Sequence, residues 1–202
     1  MKASTQERLE GEARFKDHAV ETGALRHLAR FYSVFDRSNE AYLAAVARAL
    51  KPGGRLLEMG CGVGYHLVSF AQAGADIDAI DISPKAIEKA QEKVHAGGVE
   101  ARVRFHRMNA EQTSFADHAF DVVCGSGIVH HLDVERAVAE VCRLLKPGGT
   151  ACFLEPMGHN PAINLYRRLS PQLRTPGEHP LRRDEIDSIR AAFARSDRKS
   201  VV

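Results

Sequence analysis

Glu58, Gly60, Gly62 and Gly64 are the first residues whose types and spacing suggest chemistry. They lie in the stretch LLEMGCGVGYH, from Leu56 to His66. An apolar run ends in an acid, and three glycines follow on alternate positions. In regular structure each glycine costs roughly 0.5–1 kcal/mol relative to alanine. Three in one short loop therefore imply a backbone that curls tightly or lies close to a ligand. A nucleoside triphosphate loop requires GxxxxGK followed by Ser or Thr, and no segment fits. A dinucleotide loop requires GxGxxG, whose third glycine lets helix and strand pack closely. That place falls on Tyr65 counting from Gly60 and on Leu67 counting from Gly62, both bulky. The remaining pattern, ExGxGxG, suits an uncharged nucleoside joined to an amino acid tail, with the acid near a cationic amine. About 20 residues on, where a ribose-binding acid is expected in nucleoside-binding folds, DIDAID ends in Asp81. Asp81 alternatively only caps the next helix, although Ser83 suits that task better.

Two further groups are candidates. His130 and His131, in SGIVHHL, carry side chains that titrate near neutral pH. His131 is a candidate general base; alternatively both histidines shape their loop and cap the helix after it. His159 and Asn160 follow Glu155 closely enough to reach a site at the same edge. Arg167, Arg168, Arg174, Arg182 and Arg183 make the stretch from 157 to 183 basic, either as a solvated face or as a surface for an acidic ligand. No metal is expected, since the histidines lack HExxH spacing and the four cysteines contain no CxxC pair.

The elements that must position these residues follow from periodicity and punctuation. From Gln6 to about Leu50 the chain reads as helical, with Leu43, Val46, Ala47 and Leu50 on one face of its last part. LKPGG closes that helix and recurs at Leu145–Gly149, where it punctuates the passage from a helix to the next strand. Between the two copies, RLLEM, DIDAID, RVRFHRM and FDVVCGS read as strands, and TACFLEP follows as another. Helical patterns alternate with them, one capped by Ser83 and Pro84 with Ile87, Ala90 and Val94 turned inward. This alternation predicts an α/β fold, a doubly wound and mostly parallel sheet with helices on both faces. Right-handed crossovers place the loops after the strands along one edge, where such folds bind ligands. With 202 residues, 44% apolar and 27% charged, the chain reads as one ordinary globular domain. A net charge of +2 argues for neither nucleic acid nor membrane, and no apolar run has membrane-spanning length. The scattered cysteines and the lack of an apolar leader point to a cytoplasmic setting.

From Leu56 to Pro156, about half of the chain, these motifs resemble the class I S-adenosylmethionine-dependent methyltransferases. The similarity is greatest to the branch of the ubiquinone, menaquinone and natural-product enzymes. The resemblance implies S-adenosyl-L-methionine as cofactor, S-adenosyl-L-homocysteine as product and methyl transfer by in-line displacement. Glu58, Gly60, Cys61, Gly62 and Gly64 would then hold the methionine end. Asp81 would bind the ribose and Ile82 would lie against the adenine. Asn109, Ala110 and Glu111 stand where the family commonly shows Asp-Ala and a polar residue, so Asn109 would accept from the adenine amine. Gly125 and Ser126 would border the sulfonium. Residues 1–50 would form a helical cap with Tyr32 as a lid aromatic, unless it merely packs. Residues 51–156 would be the cofactor core, 157–183 a substrate-side insertion with His159 and Asn160, and 184–202 a shortened C-terminal helix and strand. The final strand of the usual seven would be missing, leaving KSVV as an exposed edge or a homodimer contact. The chain lacks [DN]PP[YF], a Pro-Cys nucleophile and any RNA-binding module, which leaves a small-molecule acceptor. A cofactor-binding protein without turnover and a nicotinamide-dependent oxidoreductase are the alternatives.

Overall fold

The computed structural model describes residues 5–23, 36–158, 164–165, 168–169, 178–194 and 199–201. Six strands form a single sheet: β1 (Arg55–Met59), β2 (Asp76–Asp81), β3 (Val103–Arg107), β4 (Phe120–Ser126), β5 (Leu145–Leu154) and β6 (Lys199–Val201). Every pairing is parallel, in the order β3-β2-β1-β4-β5-β6. Parallel strands need crossovers, and helices provide all but the one from β3 to β4: α3 (Leu67–Gln72), α4 (Pro84–Ala96), α5 (Val134–Leu144) and α6 (Arg183–Ala194). Two more, α1 (Thr5–Glu21) and α2 (Asp36–Ala49), precede the sheet. Strand order reverses between β1 and β4, so the loops after these two strands border the crevice at the carboxyl edge. Strand β6 forms one edge of the sheet beside β5, where KSVV was expected to lie exposed.

Alternation along each central strand sends side chains to two cores. Leu56, Ile77, Ala79, Val122 and Cys124 face Tyr42 and Val46 of α2, Leu67 and Phe70 of α3, and Ala90 and Val94 of α4. Leu57, Met59, Ile80, Val123 and Ala151 face Val141 and Leu144 of α5 and Ile186, Ile189 and Phe193 of α6. Two helix faces differ from those expected. In α4 the buried stripe is Ala86, Ala90 and Val94, and Ile87 is only half-buried. The four-residue spacing puts two alanines against the sheet and lets the helix lie close to it. In α2 Tyr42 and Val46 are buried while Ala47 is exposed, because the larger ring turns the helix by about one position.

The duplicated KPGG forms the same turn twice. Gly53 and Gly148 adopt φ of 69° and 75°. A Cβ on Gly54 would stand 2.9 Å from the Lys51 carbonyl oxygen, and one on Gly149 2.9 Å from that of Lys146. The second copy lies within β5 as an irregularity in register opposite Phe120 and Val122, rather than ahead of the strand as expected.

One buried charge cluster braces the β1–β2–β3 side. Asp78 is 2% exposed and accepts from Arg55 (2.8 Å), from Nε and Nη2 of Arg104 (both 3.0 Å) and from His106 (2.8 Å). Burial alone would raise its pKa, but these donors outweigh that and hold it down to about 2 from an ordinary 3.8. A depression of that size contributes about 2 kcal/mol at neutral pH. The contribution is present above the ordinary carboxylate range and is lost as pH falls through about 2. Asp78→Ala should therefore lower the urea midpoint at pH 7 by the equivalent of about 2 kcal/mol or more. The variant should also lose the part of the wild-type acid sensitivity that lies between about pH 4 and 2. At the other end of β4, a Cβ on Gly125 would meet Ile128 Cγ2 at 2.7 Å and the Met59 carbonyl oxygen at 2.8 Å. Gly125→Ala should cost about 1–3 kcal/mol, measurable as a lower thermal midpoint.

Candidate functional site

The glycine loop leaves β1 and is tied at once to β2. The Cys61 amide donates to the Ile80 carbonyl (3.0 Å), the Gly62 amide to Asp81 Oδ2 (2.9 Å), and the Gly64 amide to the Cys61 carbonyl (2.9 Å). Gly60, Gly62 and Gly64 all adopt positive φ, at 65°, 52° and 73°, a region that side-chain-bearing residues enter only at a cost. Close approach adds a second reason at two of them. A Cβ on Gly60 would lie 2.6 Å from Ile128 Cδ1, and one on Gly64 3.0 Å from Ala90 Cβ. At Gly62 a Cβ would meet nothing within 4 Å, so the loop opens into space there. The Cys61 side chain goes into the core, and burial pushes its thiol pKa up.

Asp81 is 2% exposed, and both its oxygens are engaged, Oδ2 by the Gly62 amide and Oδ1 by the Ser83 amide at 2.9 Å. A carboxylate offers about four lone-pair sites, so capacity remains for further donors. Ser83 caps α4, its hydroxyl accepting from the Ala86 amide at 3.0 Å, which frees Asp81 from that task. Beside Asp81 a cleft of about 390 Å³, open solvent included, is lined by Gly60, Ile82, Asn109, Ala110, Ile128 and His131 among others.

Helix α1 covers this cleft. Arg8, Leu9, Glu12 and Lys16 line it, with Lys16 Nζ 3.8 Å from Asp81 Oδ2. Asp17 accepts from the Ser83 hydroxyl at 2.5 Å, Glu21 pairs with Lys85, and Arg8 pairs with Glu111 and donates to the His131 carbonyl at 3.1 Å. No pattern in the sequence singled out these α1 contacts. Their partners lie between 64 and 123 residues away, beyond the reach of local periodicity.

The other expected residues have the following contacts. Glu58 is 2% exposed; its Oε1 lies 3.3 Å from His66 Nδ1, and its Oε2 is buried without a hydrogen-bond partner. His66 in turn meets Asn39 at 3.0 Å. Asn109 Oδ1 accepts from the Glu111 amide at 3.0 Å and keeps one lone pair. Glu111 Oε1 accepts from the Asp133 amide (2.9 Å) as well as from Arg8. Gly125 is enclosed by Met59, Ile128 and Phe153, and Ser126 ends β4 half-buried. Tyr32, His159 and Asn160 lie outside the described residues. Of the basic stretch, Arg182 is paired with Glu185 at 2.9 Å.

The loop after β4 is held by Glu155, at the end of β5. Its Oε1 accepts from the amides of Ile128 (2.9 Å) and Val129 (2.8 Å), and its Oε2 meets His130 Nδ1 at 2.7 Å. A buried acid beside a loop rich in unpaired amides is the signal that marks this residue, but strand order is needed to read it. His131 borders the cleft, with Nδ1 3.5 Å from Glu12. Burial lowers its pKa, the chief cause among several, and favours the neutral imidazole.

Residues 57–153 match the family model described as a methyltransferase domain. The 27-O-demethylrifamycin SV methyltransferase of Amycolatopsis mediterranei is 34% identical over 102 residues, 50% of this chain and 38% of that protein. The ubiquinone biosynthesis O-methyltransferase of Alkalilimnicola ehrlichii is 32% identical over 145 residues, 67% of this chain and 58% of the relative. The solved structure of the Bacillus subtilis YcgJ protein superposes with a TM-score of 0.63 at 25% identity, over 76% of this chain and 68% of that one. The chain thus spans about two fifths to three fifths of these curated relatives. The matched segment contains the glycine loop, Asp81 and both histidines, and this part of the chain is a methyltransferase domain of the class I S-adenosylmethionine-dependent kind, similar to the ubiquinone and natural-product enzymes.

Proposed function

We propose that this chain transfers a methyl group from S-adenosyl-L-methionine to a small-molecule acceptor and releases S-adenosyl-L-homocysteine. The observation that carries this reading is the bond between the Gly62 amide and the Asp81 carboxylate, with Glu58 buried at the base of the same loop. Two buried carboxylates beside the loop repel a pyrophosphate and suit a ligand with a cationic amine and sugar hydroxyls. Tyr65, at the place of the third dinucleotide glycine, is 56% exposed and stacks under Lys93 rather than packing helix on strand. The residues present fit the cofactor: Glu58 Oε2 has an unused acceptor for the amine, Asp81 has lone pairs for the ribose, and Ile82 and Asn109 line the cleft for the base.

When bound, the cofactor supplies a methyl group already activated by positive sulfur. The chain's part is then to align its partners, and alignment alone can be worth about 7–11 kcal/mol of barrier. Glu155 fixes the loop of His130 and His131 against β5, and the apolar Ile128 and Leu132 help to line the cleft. His131 is the base candidate that borders the cleft, able to take a proton from an acceptor hydroxyl. The named relatives act in rifamycin and ubiquinone chemistry, which supports a small organic acceptor. Among the described residues no helix is long and apolar enough to cross a membrane. Four free cysteines, three of them buried, fit a cytoplasmic location.

Calorimetric titration tests the cofactor. S-adenosyl-L-methionine should bind and a nicotinamide dinucleotide should not compete; displacement by the dinucleotide would overturn the reading. Asp81→Ala should weaken cofactor affinity by about tenfold or more, the value of a charged hydrogen bond. His131→Ala should keep cofactor binding but lose at least about 100-fold in turnover with an identified acceptor. Unchanged turnover would remove His131 from the chemistry. Tight binding without methyl transfer to any of a broad acceptor panel would leave a cofactor-binding protein instead.

A further inference from the structure

Behind the loop after β4, two imidazoles and three carboxylates meet in a buried space. His130 Nδ1 lies 2.7 Å from Glu155 Oε2. That bond places the ring proton on Nδ1, so the neutral ring presents the lone pair of Nε2. Nε2 faces Glu178 Oε1 at 3.9 Å. His131 Nδ1 lies 3.7 Å from Glu178 Oε2 and 3.5 Å from Glu12 Oε2. One donor atom each from His130, His131 and Glu178 falls within 4.8 Å of the other two.

The separations between donors of 3.7 and 3.9 Å are too long for hydrogen bonds. They are close to what a shared ion requires: donors bonded at about 2.0–2.1 Å to a tetrahedral ion stand roughly 3.3–3.4 Å apart. The side chains of His130 and Glu178 are 5% exposed and that of Glu12 is 8% exposed.

We infer that His130, His131 and Glu178 form a site for one divalent first-row transition ion, with Glu155 orienting His130 from behind. Two imidazole nitrogens and one carboxylate suit Zn²⁺, Fe²⁺ and their neighbours better than Mg²⁺ or Ca²⁺. A carboxylate behind a metal-binding histidine is the usual way its tautomer and ring orientation are fixed. Three protein donors leave a coordination position open. His131 borders both this site and the cleft under α1, so the open position can take an oxygen of the methyl acceptor. A hydroxyl bound there would release its proton to solvent nearer neutral pH, and His131 would then act as a ligand in place of the base role. This assignment of a role rests on the methyl-transfer reading, whereas the site itself does not. Spacing along the sequence concealed the site, because Glu178 is 47 residues beyond His131.

The test uses the full chain stripped with a chelator and returned to chelator-free buffer. Titration with Zn²⁺ should show one equivalent bound, and Co²⁺ should give visible d–d absorption from a nitrogen- and oxygen-ligated ion. Glu178→Gln and His130→Ala should each reduce Zn²⁺ affinity at least tenfold. Glu155→Gln, which leaves all three donors in place, should reduce it about 10- to 100-fold. His95→Ala, at an exposed histidine, should change nothing. Circular dichroism and S-adenosyl-L-methionine affinity, measured on the same samples, report whether each variant is folded. No Zn²⁺ binding by the wild-type chain, or binding unaltered in folded Glu178→Gln, would overturn the metal site. Neither result touches the cofactor reading, which fails only if the calorimetry with S-adenosyl-L-methionine fails.

Discussion

A single buried hydrogen bond, from the Gly62 amide to the Asp81 carboxylate, sets the geometry of the carboxyl edge. It joins the loop after β1 to the end of β2, and the neighbouring Cys61 amide repeats the link through the Ile80 carbonyl. The bond requires Gly62 to turn its amide toward β2, which it does at positive φ. It also holds Asp81 in a buried place, where the Ser83 amide donates to its other oxygen and Lys16 Nζ lies 3.8 Å away. Asp81 thereby shapes the loop and, with its remaining lone pairs, faces what the loop holds. A residue with two such tasks tolerates little substitution, since an amide in its place would turn a donor toward one of the two backbone N–H groups.

Buried acids recur around this edge, and each is settled in a different way. Asp78 is surrounded by cations, Glu155 by amides and an imidazole, and Glu111 by an amide and Arg8. Glu58 and Glu111 each have an oxygen that is buried without a hydrogen-bond partner, but Glu111 also pairs with the Arg8 guanidinium whereas Glu58 meets only His66. Structural acids in a folded chain are satisfied internally, because desolvation makes the alternative expensive. An acid left half-satisfied with no guanidinium or ammonium beside it is where an external cationic donor belongs. This difference separates the residues that hold the fold from those available to a ligand.

Helix α1 gives the crevice its roof by polar contacts. Arg8, Lys16, Asp17 and Glu21 reach Glu111, Asp81, Ser83 and Lys85, on elements that the sheet already fixes. Of these only Glu21–Lys85 is exposed on both sides and so worth little; Arg8 and Lys16 reach almost fully buried carboxylates, and α1 buries few apolar side chains, with Ala19 among the core residues.

Much of this protein was legible in its amino-acid order. Strand and helix alternation, the Ser83–Pro84 helix start and the twin KPGG turns all arise from local rules of period, capping and positive φ, so they could be read residue by residue. The glycine loop and Asp81 were legible for the same reason, since each lies at a fixed distance from a strand end. Local reading also erred locally: Tyr42 and Ala86 displaced Ala47 and Ile87 from the buried faces, because ring volume and close approach to the sheet decide which side of a helix turns inward. What only the tertiary structure decided is which distant groups share one buried space. Glu155 under the histidine loop, Glu178 beside His130 and His131, and α1 over Asp81 come together through strand order and crossover packing, and buried charges then select their partners by distance in space, which spacing along the chain does not encode.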